Sequence, residues 1–355
     1  MTCYSCLKTI SSGSYCKPCL KTLFDGRSIK PLEFDKTEFY EIKKQMTNRI
    51  SLSGVQDKIS LTYGNHNDLI PTETDGRFIL KPIPRVHESA IHLEDIAANE
   101  HLSMQISSQI FKIPTALNGL IEFKDGELAY ITKRFDYSIS SGDQTEIIKL
   151  DQEDFASVLS FTKESAGNDY KYESSYEECA YGIKKFVAAH IPALEDFYKR
   201  VVLNYLIGNG DAHLKNFSLI READRPDYSL SPNYDILFTR FHLPEENGIA
   251  GLDLFTEYET EAFGAMGFYT LQDFEEFAKM IGITDRRLIK IFNEILSYTD
   301  KVYKLIEKSF LSNEAKIAYK ENYNTRLKNC LCYSIESYSF RGITQKIIDK
   351  YQNES

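Results

Sequence analysis

The chain has 355 residues, 42% of them hydrophobic, enough to bury a large core and to divide into two lobes with an appendage. Its 23 Tyr and 22 Phe exclude a disordered, low-hydrophobicity class. The net charge of −10 excludes a chain whose main task is to coat nucleic acid or an anionic membrane, so no direct nucleic-acid binding is expected.

The first residues, MTCYSCLKTISSGSYC, form neither a basic leader nor an apolar signal core, and no later run approaches the roughly 18 apolar residues of a membrane helix. The expectation is a cytoplasmic protein without a membrane partner. Within residues 1–35, Cys3, Cys6, Cys16 and Cys19 read C-x2-C, nine residues, C-x2-C. Four thiolates so spaced can surround a metal tetrahedrally, and a four-cysteine site is typically structural Zn²⁺. The alternative is four reduced thiols on a loosely ordered tail. Cys179, Cys330 and Cys332 share no such pattern and read as buried apolar thiols.

From 36 to 136 short β-like runs alternate with turns. Ile59, Leu61 and Tyr63 share one side of KISLTYG, RFILK is closed by Pro82, and ELAYITKRF follows the turn KDG. One helix, HLEDIAANEHLSMQIS, crosses this sheet. Residues 137–355 carry longer periods. Leu288, Ile291, Phe292 and Ile295, at i, i+3, i+4 and i+7, define one apolar helix face. TKESAGNDYKYESS and HLPEENGIAG read as surface loops. A β-rich lobe followed by a helical one leaves a cleft suited to a ligand.

The stretch NGDAHLKN, at 209–216, presses a polar hexad between apolar runs. Asp211, Asn216 and the later Asp235 are hard oxygen ligands suited to Mg²⁺ bound to phosphate oxygens. The expected geometry is a loop leaving a helix, then two short strands returning Asp235 beside Asn216. In phosphoryl transfer, one Asp accepts the hydroxyl proton while Asn and the second Asp hold metal against the nucleotide. The alternative is a helix cap and an Asx-turn. Two earlier parts favour chemistry: Lys81 ends a strand, where an ammonium could pair with phosphates, and SLSGVQDK forms a polar turn. That turn has one glycine, Gly54, and matches neither G-x-G-x-x-G nor the P-loop pattern. Backbone N–H groups around Gly54, backed by Lys58, could still form an anion nest. Ser51 and Ser53 are either ordinary turn residues or hydroxyls placed where a phosphate would block the loop.

SLSGVQDKISL, FILKPI, TKRFDY, KLDQEDFASVL, NGDAHLKNFSLI and PNYDIL, in that order, resemble the HipA family of bacterial serine/threonine kinases, over roughly residues 48–300. The resemblance implies an α+β, protein-kinase-like two-lobed fold, with a small β-rich N-lobe and a mostly helical C-lobe, and use of ATP and Mg²⁺. It implies Asp211 as general base, Asn216 and Asp235 as Mg²⁺ ligands, Lys81 as the phosphate-pairing lysine and His213 as a nucleotide contact. Ser53, Gly54, Val55, Gln56, Asp57 and Lys58 would cover the ATP phosphates, and Lys133, Arg134 and Phe135 would form the hinge, with Phe135 flanking adenine. The family more often has Glu where this chain has Lys133.

SLS resembles the two-serine form of the shorter HipT-like members, which makes Ser51 and Ser53 candidate autophosphorylation sites. A phosphate there adds a charge of about −1.5 to −2 that opposes ATP in the same nest. Full-length HipA proteins carry a further N-terminal subdomain, whereas 50 residues precede Ser51 here. HipT-like systems place that subdomain on a small HipS-like protein beside a HipB-like DNA-binding antitoxin. The implied role is the toxin kinase of such a system, acting on a protein substrate such as an aminoacyl-tRNA synthetase. A catalytically silent binding module and a small-molecule kinase of the same fold are the competing readings.

Overall fold

The computed structural model describes residues 1–47, 57–85, 90–139, 147–221, 225–244 and 248–331. The cysteine segment closes on itself through a Thr2–Thr9 bridge and leads into helix α1 (Lys17–Leu23), with Pro18 in its first turn, where a missing N–H breaks no helical bond. Helix α2 (Lys36–Thr47) starts at Asp35, whose carboxylate accepts from Thr37 N and Glu38 N while Glu38 accepts from Asp35 N. Leu23, Phe24 and Phe39 then join one hydrophobic cluster with the sheet, so residues 1–35 pack as part of it and are no loose tail.

Strands β1 (Ile59–Tyr63), β2 (Leu69–Pro71), β3 (Phe78–Lys81), β4 (Asn118–Glu122) and β5 (Leu128–Lys133) form an antiparallel sheet in the order β2-β1-β3-β5-β4. Register sets Leu80 opposite Ile59 and Ile131, and all three face the cluster with Phe24. Because successive strand residues point to opposite faces, Lys81 turns the other way, as do Tyr130 and Leu120, towards helix α3 (Ile96–Gln109). Every α3 residue from Ala97 to Ser107 is buried, as expected of a helix enclosed on all sides.

Strands β6 (Tyr137–Ile139) and β7 (Ile147–Lys149) pair, and β8 (Asp151–Asp154) begins a second sheet. Next come α4 (Phe155–Val158), α5 (Lys163–Ala166), a 3₁₀ turn at Tyr170–Tyr172, α6 (Tyr176–Phe186) and the central α7 (His190–Ile207). After a 3₁₀ turn at Leu214–Asn216, β9 (Ser218–Arg221) and β10 (Ser229–Leu230) complete the sheet β10-β9-β8. Helices α8 (Thr239–His242), α9 (Glu261–Met266), α10 (Leu271–Met280), α11 (Asp285–Leu296), α12 (Thr299–Lys308) and α13 (Asn313–Leu331) follow. Leu288, Ile291, Phe292 and Ile295 of α11 are buried, as their spacing predicts. Cys179 and Cys330 are buried thiols, and Cys332 lies outside the described residues.

Two stretches read as surface loops are more than that. Residues 162–175 hold α5, capped reciprocally by Thr162 and Ser165, and the turn that reaches the 209–216 loop. In 242–251, His242 is buried, and Gly251 lies so close behind that loop that a Cβ would stand 2.4 Å from Ala212 N. The first stretch is mostly exposed, as its polarity suggests, yet both also supply a contact to the 209–216 loop, through Tyr172 and Gly251.

Candidate active site

Helix α7 ends at Gly208, whose φ of 75° suits a residue without Cβ, and Asn209 N closes the end on Asn204 O at 2.9 Å. The polar hexad is then tied down from within and behind. Asn209 Nδ2 donates to Asn204 Oδ1 (2.8 Å), Gly210 N to Thr239 Oγ1 (2.8 Å), His213 N to Asp211 O (2.8 Å), and Tyr176 Oη to Ala212 O (3.0 Å). Leu214 and Phe217 are buried anchors, and β9 and β10 return the chain to Asp235. Asn216 Nδ2 donates to Asp235 O at 3.5 Å, which realises the expected return. Loop rigidity here follows from satisfied backbone groups and apolar flanks.

Asn216 Oδ1 is buried and has no hydrogen-bond partner among the described residues. Asp235 adopts φ 59°, a left-handed conformation that costs a non-glycine residue roughly 1–3 kcal/mol and clusters at functional sites. Its carboxylate contacts Lys81 Nζ, which also lies 2.7 Å from Glu100 Oε1 of α3. Lys81 and Glu100 are buried, whereas the Asp235 side chain is 48% exposed. Burial pushes Glu100 up to about 7, since Asp235 shares the same ammonium. Burial alone would lower Lys81, but the two carboxylates raise it. Burial would raise Asp235, and Lys81 brings it below the usual carboxylate value. Lys58 is lowered by burial first, with Asp235, Lys81 and Glu100 all acting on its charge.

On the other side of the loop, Asp211 is half exposed, accepts from Tyr172 Oη, and lies 3.9 Å from Lys171 Nζ and 3.7 Å from His213 Nε2. Burial lowers the His213 pKa and favours the neutral ring, whose Nδ1 has no partner among the described residues. Tyr170 and Tyr172 thus make the 162–175 segment a wall of the site: Lys215 Nζ donates to Tyr170 Oη at 3.2 Å, and the Tyr172 ring meets His213 at 5.1 Å.

The structure brings together Lys81, Asp211, His213, Asn216 and Asp235, with Lys58 near the cluster. Phe135 packs on Tyr234 with centroids 5.4 Å apart, directly beside Asp235. The Lys133 side chain does not join them. Its Nζ lies 2.6 Å from Asp25 Oδ1 and 3.3 Å from Thr22 O, because the N-terminal segment covers that end of β5. Arg134 is committed to Asp136, and Asp57 to Lys43 of α2. Ser51, Ser53, Gly54, Val55 and Gln56 lie outside the described residues. The sequence reading missed Glu100, Tyr172 and Asn99. Asn99 Oδ1 accepts from Phe238 N (3.0 Å) and Nδ2 donates to Phe238 O (3.1 Å), joining α3 to the segment after Asp235. The available signal was the consecutive polar triplet Asn99-Glu100-His101, which holds the one carboxylate of helix α3.

Two donor sets fit ions. A buried amide oxygen without a partner, beside a carboxylate, suits a hard divalent cation such as Mg²⁺. At the N-terminus the Sγ atoms of Cys3, Cys6, Cys16 and Cys19 lie within 4.8 Å of one another, all free of disulfides. Hydrogen bonds from Cys19 and Cys6 hold Cys3 well below the ordinary thiol value, while Cys6 is pushed up to about 11. Such a set suits a thiophilic ion.

A strand lysine paired with a helix glutamate, above an Asp-x4-Asn loop, defines an α+β protein-kinase-like fold. The chain belongs to the HipA-like C-terminal domain family, which matches residues 50–302. A Haemophilus influenzae protein named "Putative kinase" is 30% identical over 311 residues, 83% of this chain and 86% of that protein. Sinorhizobium fredii "Putative kinase Y4dM" is 33% identical over 217 residues, 57% of this chain and 48% of its own length. A chain of the Shewanella oneidensis toxin–antitoxin complex of HipA, HipB and operator DNA has a TM-score of 0.59 at 18% identity, covering 85% of this chain and 67% of that chain. At that identity the likeness concerns the fold. Among the described residues no helix is long and apolar enough to cross a membrane.

Proposed function

We propose that this chain is an ATP- and Mg²⁺-dependent serine/threonine protein kinase, the toxin of a HipBA- or HipBST-like toxin–antitoxin system. The observation that carries this reading is the buried Lys81, held by Glu100 and Asp235 within reach of the Asp211–Asn216 loop. Asn216 Oδ1 and the Asp235 carboxylate are the groups that would hold Mg²⁺. Bound there, the ion would neutralise charge on the nucleotide phosphates. Lys81 would orient the phosphates, and Glu100 would keep it in place while Asp235 held the ion. Asp211 accepts the proton of an acceptor hydroxyl; the half-exposed carboxylate is open to one, and Tyr172 Oη marks the direction of approach.

Ser51 and Ser53 are the proposed autophosphorylation sites, whose modification would oppose ATP in the same loop and silence the enzyme. A HipB-like antitoxin is the proposed partner, on the strength of the Shewanella oneidensis complex, and a small HipS-like protein is a second. An aminoacyl-tRNA synthetase is the favoured protein substrate, and the N-terminal cysteines are assigned to structural Zn²⁺.

Labelled-ATP transfer by wild type, Asp211→Asn and Asp235→Ala tests the reading. A general base contributes about 10²- to 10⁴-fold, so Asp211→Asn should lose most transfer. Equal incorporation by all three would remove the assignment. Phosphoproteomics after induction of the active enzyme names the substrate, and loss of toxicity control without a HipB-like protein tests the partner.

A further inference from the structure

We infer that the four-cysteine site holds a divalent thiophilic cation whose presence braces α3, and so keeps Glu100 in register with Lys81. The inference rests on the kinase reading only for its last consequence, the effect on nucleotide.

The sulfurs are placed for an ion. Ligands at about 2.3 Å around a tetrahedral centre stand roughly 3.8 Å apart. Cys6 Sγ and Cys16 Sγ are 3.7 Å apart, and Cys16 N donates to Cys3 Sγ at 3.3 Å, as a backbone amide does to a thiolate. All four cysteines are free of disulfides, Cys3 and Cys19 buried and Cys6 and Cys16 partly so.

The same tetrapeptide, Cys3–Cys6, is the part of the segment that grips the kinase-like core. His101 Nε2 of α3 lies 2.7 Å from Ser5 O, which can only accept, so the ring donates there. Gln109 Nε2 donates to Cys6 O at 2.9 Å. These two α3 residues are eight apart, about 12 Å along a helix at 1.5 Å per residue, so the knuckle fixes both the rotation of α3 and its far end. On the sheet side, Leu120 N of the edge strand β4 donates to Tyr4 O at 2.8 Å, and Ser5 Oγ to Asn118 O at 2.8 Å. Gly119 permits this approach, since a Cβ there would stand 3.0 Å from Tyr4 O. One end of the brace is therefore anchored to the sheet, the other to the helix, and the thiols hold its shape.

Glu100 immediately precedes His101, so whatever sets the rotation of α3 at His101 also sets where Glu100 points. The knuckle supplies backbone carbonyls to α3 from a loop of only four residues, held by a few backbone bonds such as Leu7 N to Cys3 O (3.1 Å) and Tyr4 N to Ser14 O (2.7 Å), and a cation on its thiols would lock that shape. With the cation lost, His101 and Gln109 lose fixed acceptors, α3 gains freedom about its axis, and Glu100 leaves Lys81. Metal supply would thereby control the nucleotide site from the opposite side of the helix.

The test uses the full chain, with zinc content measured by mass spectrometry, amide exchange of the 96–109 peptides, and nucleotide affinity measured in the Asp211→Asn background. One zinc per chain is expected. Removing it, or Cys6→Ser with Cys16→Ser, should speed α3 exchange at least tenfold and weaken nucleotide binding at least tenfold; added Zn²⁺ should restore the stripped wild type. Gln109→Ala, which leaves all four thiols in place, should retain zinc and speed exchange only in the last turns of α3. Absence of zinc uptake by the reduced protein overturns the inference. So does unchanged α3 exchange after stripping. If stripping unfolds the whole chain, Gln109→Ala decides, and wild-type exchange in that variant overturns the brace. Should Asp211→Asn transfer phosphate like wild type while α3 still loosens on stripping, the kinase reading falls and the brace stands.

Discussion

Glu100→Gln separates a positioning role from a structural one. Glu100 is 2% exposed, and its Oε1 lies 2.7 Å from Lys81 Nζ, which also contacts Asp235. Burial pushes its pKa up to about 7, so the folded protein favours the protonated acid over the range where an exposed carboxylate has already ionised. Below about pH 4.5, where Glu100 is protonated both folded and unfolded, the isosteric amide should change folding stability by no more than about 1 kcal/mol, a shift of a few degrees in Tm. In the proposed kinase mechanism catalysis is different, because Asp235 would hold the metal and Lys81 would then depend on Glu100. A hydrogen bond to a charged group contributes roughly 1.5–3 kcal/mol, which converts to about a ten- to hundredfold fall in kcat/KM for ATP. Steady-state labelled transfer together with thermal unfolding reads both quantities. Wild-type kcat/KM in a folded Glu100→Gln variant would refute the reasoning, since Lys81 would then be positioned without its helix partner.

The pH dependence of stability has a definite sign at the same residue. A folded-state value near 7, above the ordinary 4.5, means that the Glu100 contribution is fully present below about 4.5 and lost as pH rises through 7. Wild type should thus lose about 3 kcal/mol relative to Glu100→Gln across that window in urea unfolding, and parallel curves would count against the burial argument. Tyr172→Phe removes the hydroxyl that donates to Asp211, and should lower KM for a protein acceptor by less than about tenfold while leaving Tm unchanged; a raised KM would mean that Tyr172 helps bind the acceptor. Gly119→Val should cost about 1–3 kcal/mol by overpacking, because its Cβ would meet Tyr4 O at 3.0 Å and Leu23 Cδ2 at 3.2 Å. Unaltered urea unfolding in that variant would show that the cysteine segment yields without cost.

Spacing placed Asp211 and Asn216 in one loop but left their role open, and the resemblance carried by the run of motifs supplied the candidate roles. The expected two-strand return of Asp235 beside Asn216 is present as β9 and β10. The period of two in KISLTYG put Ile59 and Leu61 on one side of a strand, and both are buried, while the 3.6 period gave the buried face of α11. Two C-x2-C pairs sufficed to draw four sulfurs together. These are local properties, because side-chain direction repeats with the backbone.

Pairing between distant side chains is not local. Lys81 meets Glu100 across 19 positions and Asp235 across 154, and only the packing of α3 against the sheet decides that the first of these partners exists. The same packing sends Lys133 to Asp25, away from a hinge contact, because the N-terminal segment covers β5. It also lays a stretch that reads as a solvated loop over Asp211. The sequence by itself determined which residues could carry phosphoryl-transfer chemistry, since their types and order are written in it. Tertiary structure alone decided which of them face one another, because burial removes water as a competing partner and leaves each buried charge only the neighbours that packing supplies.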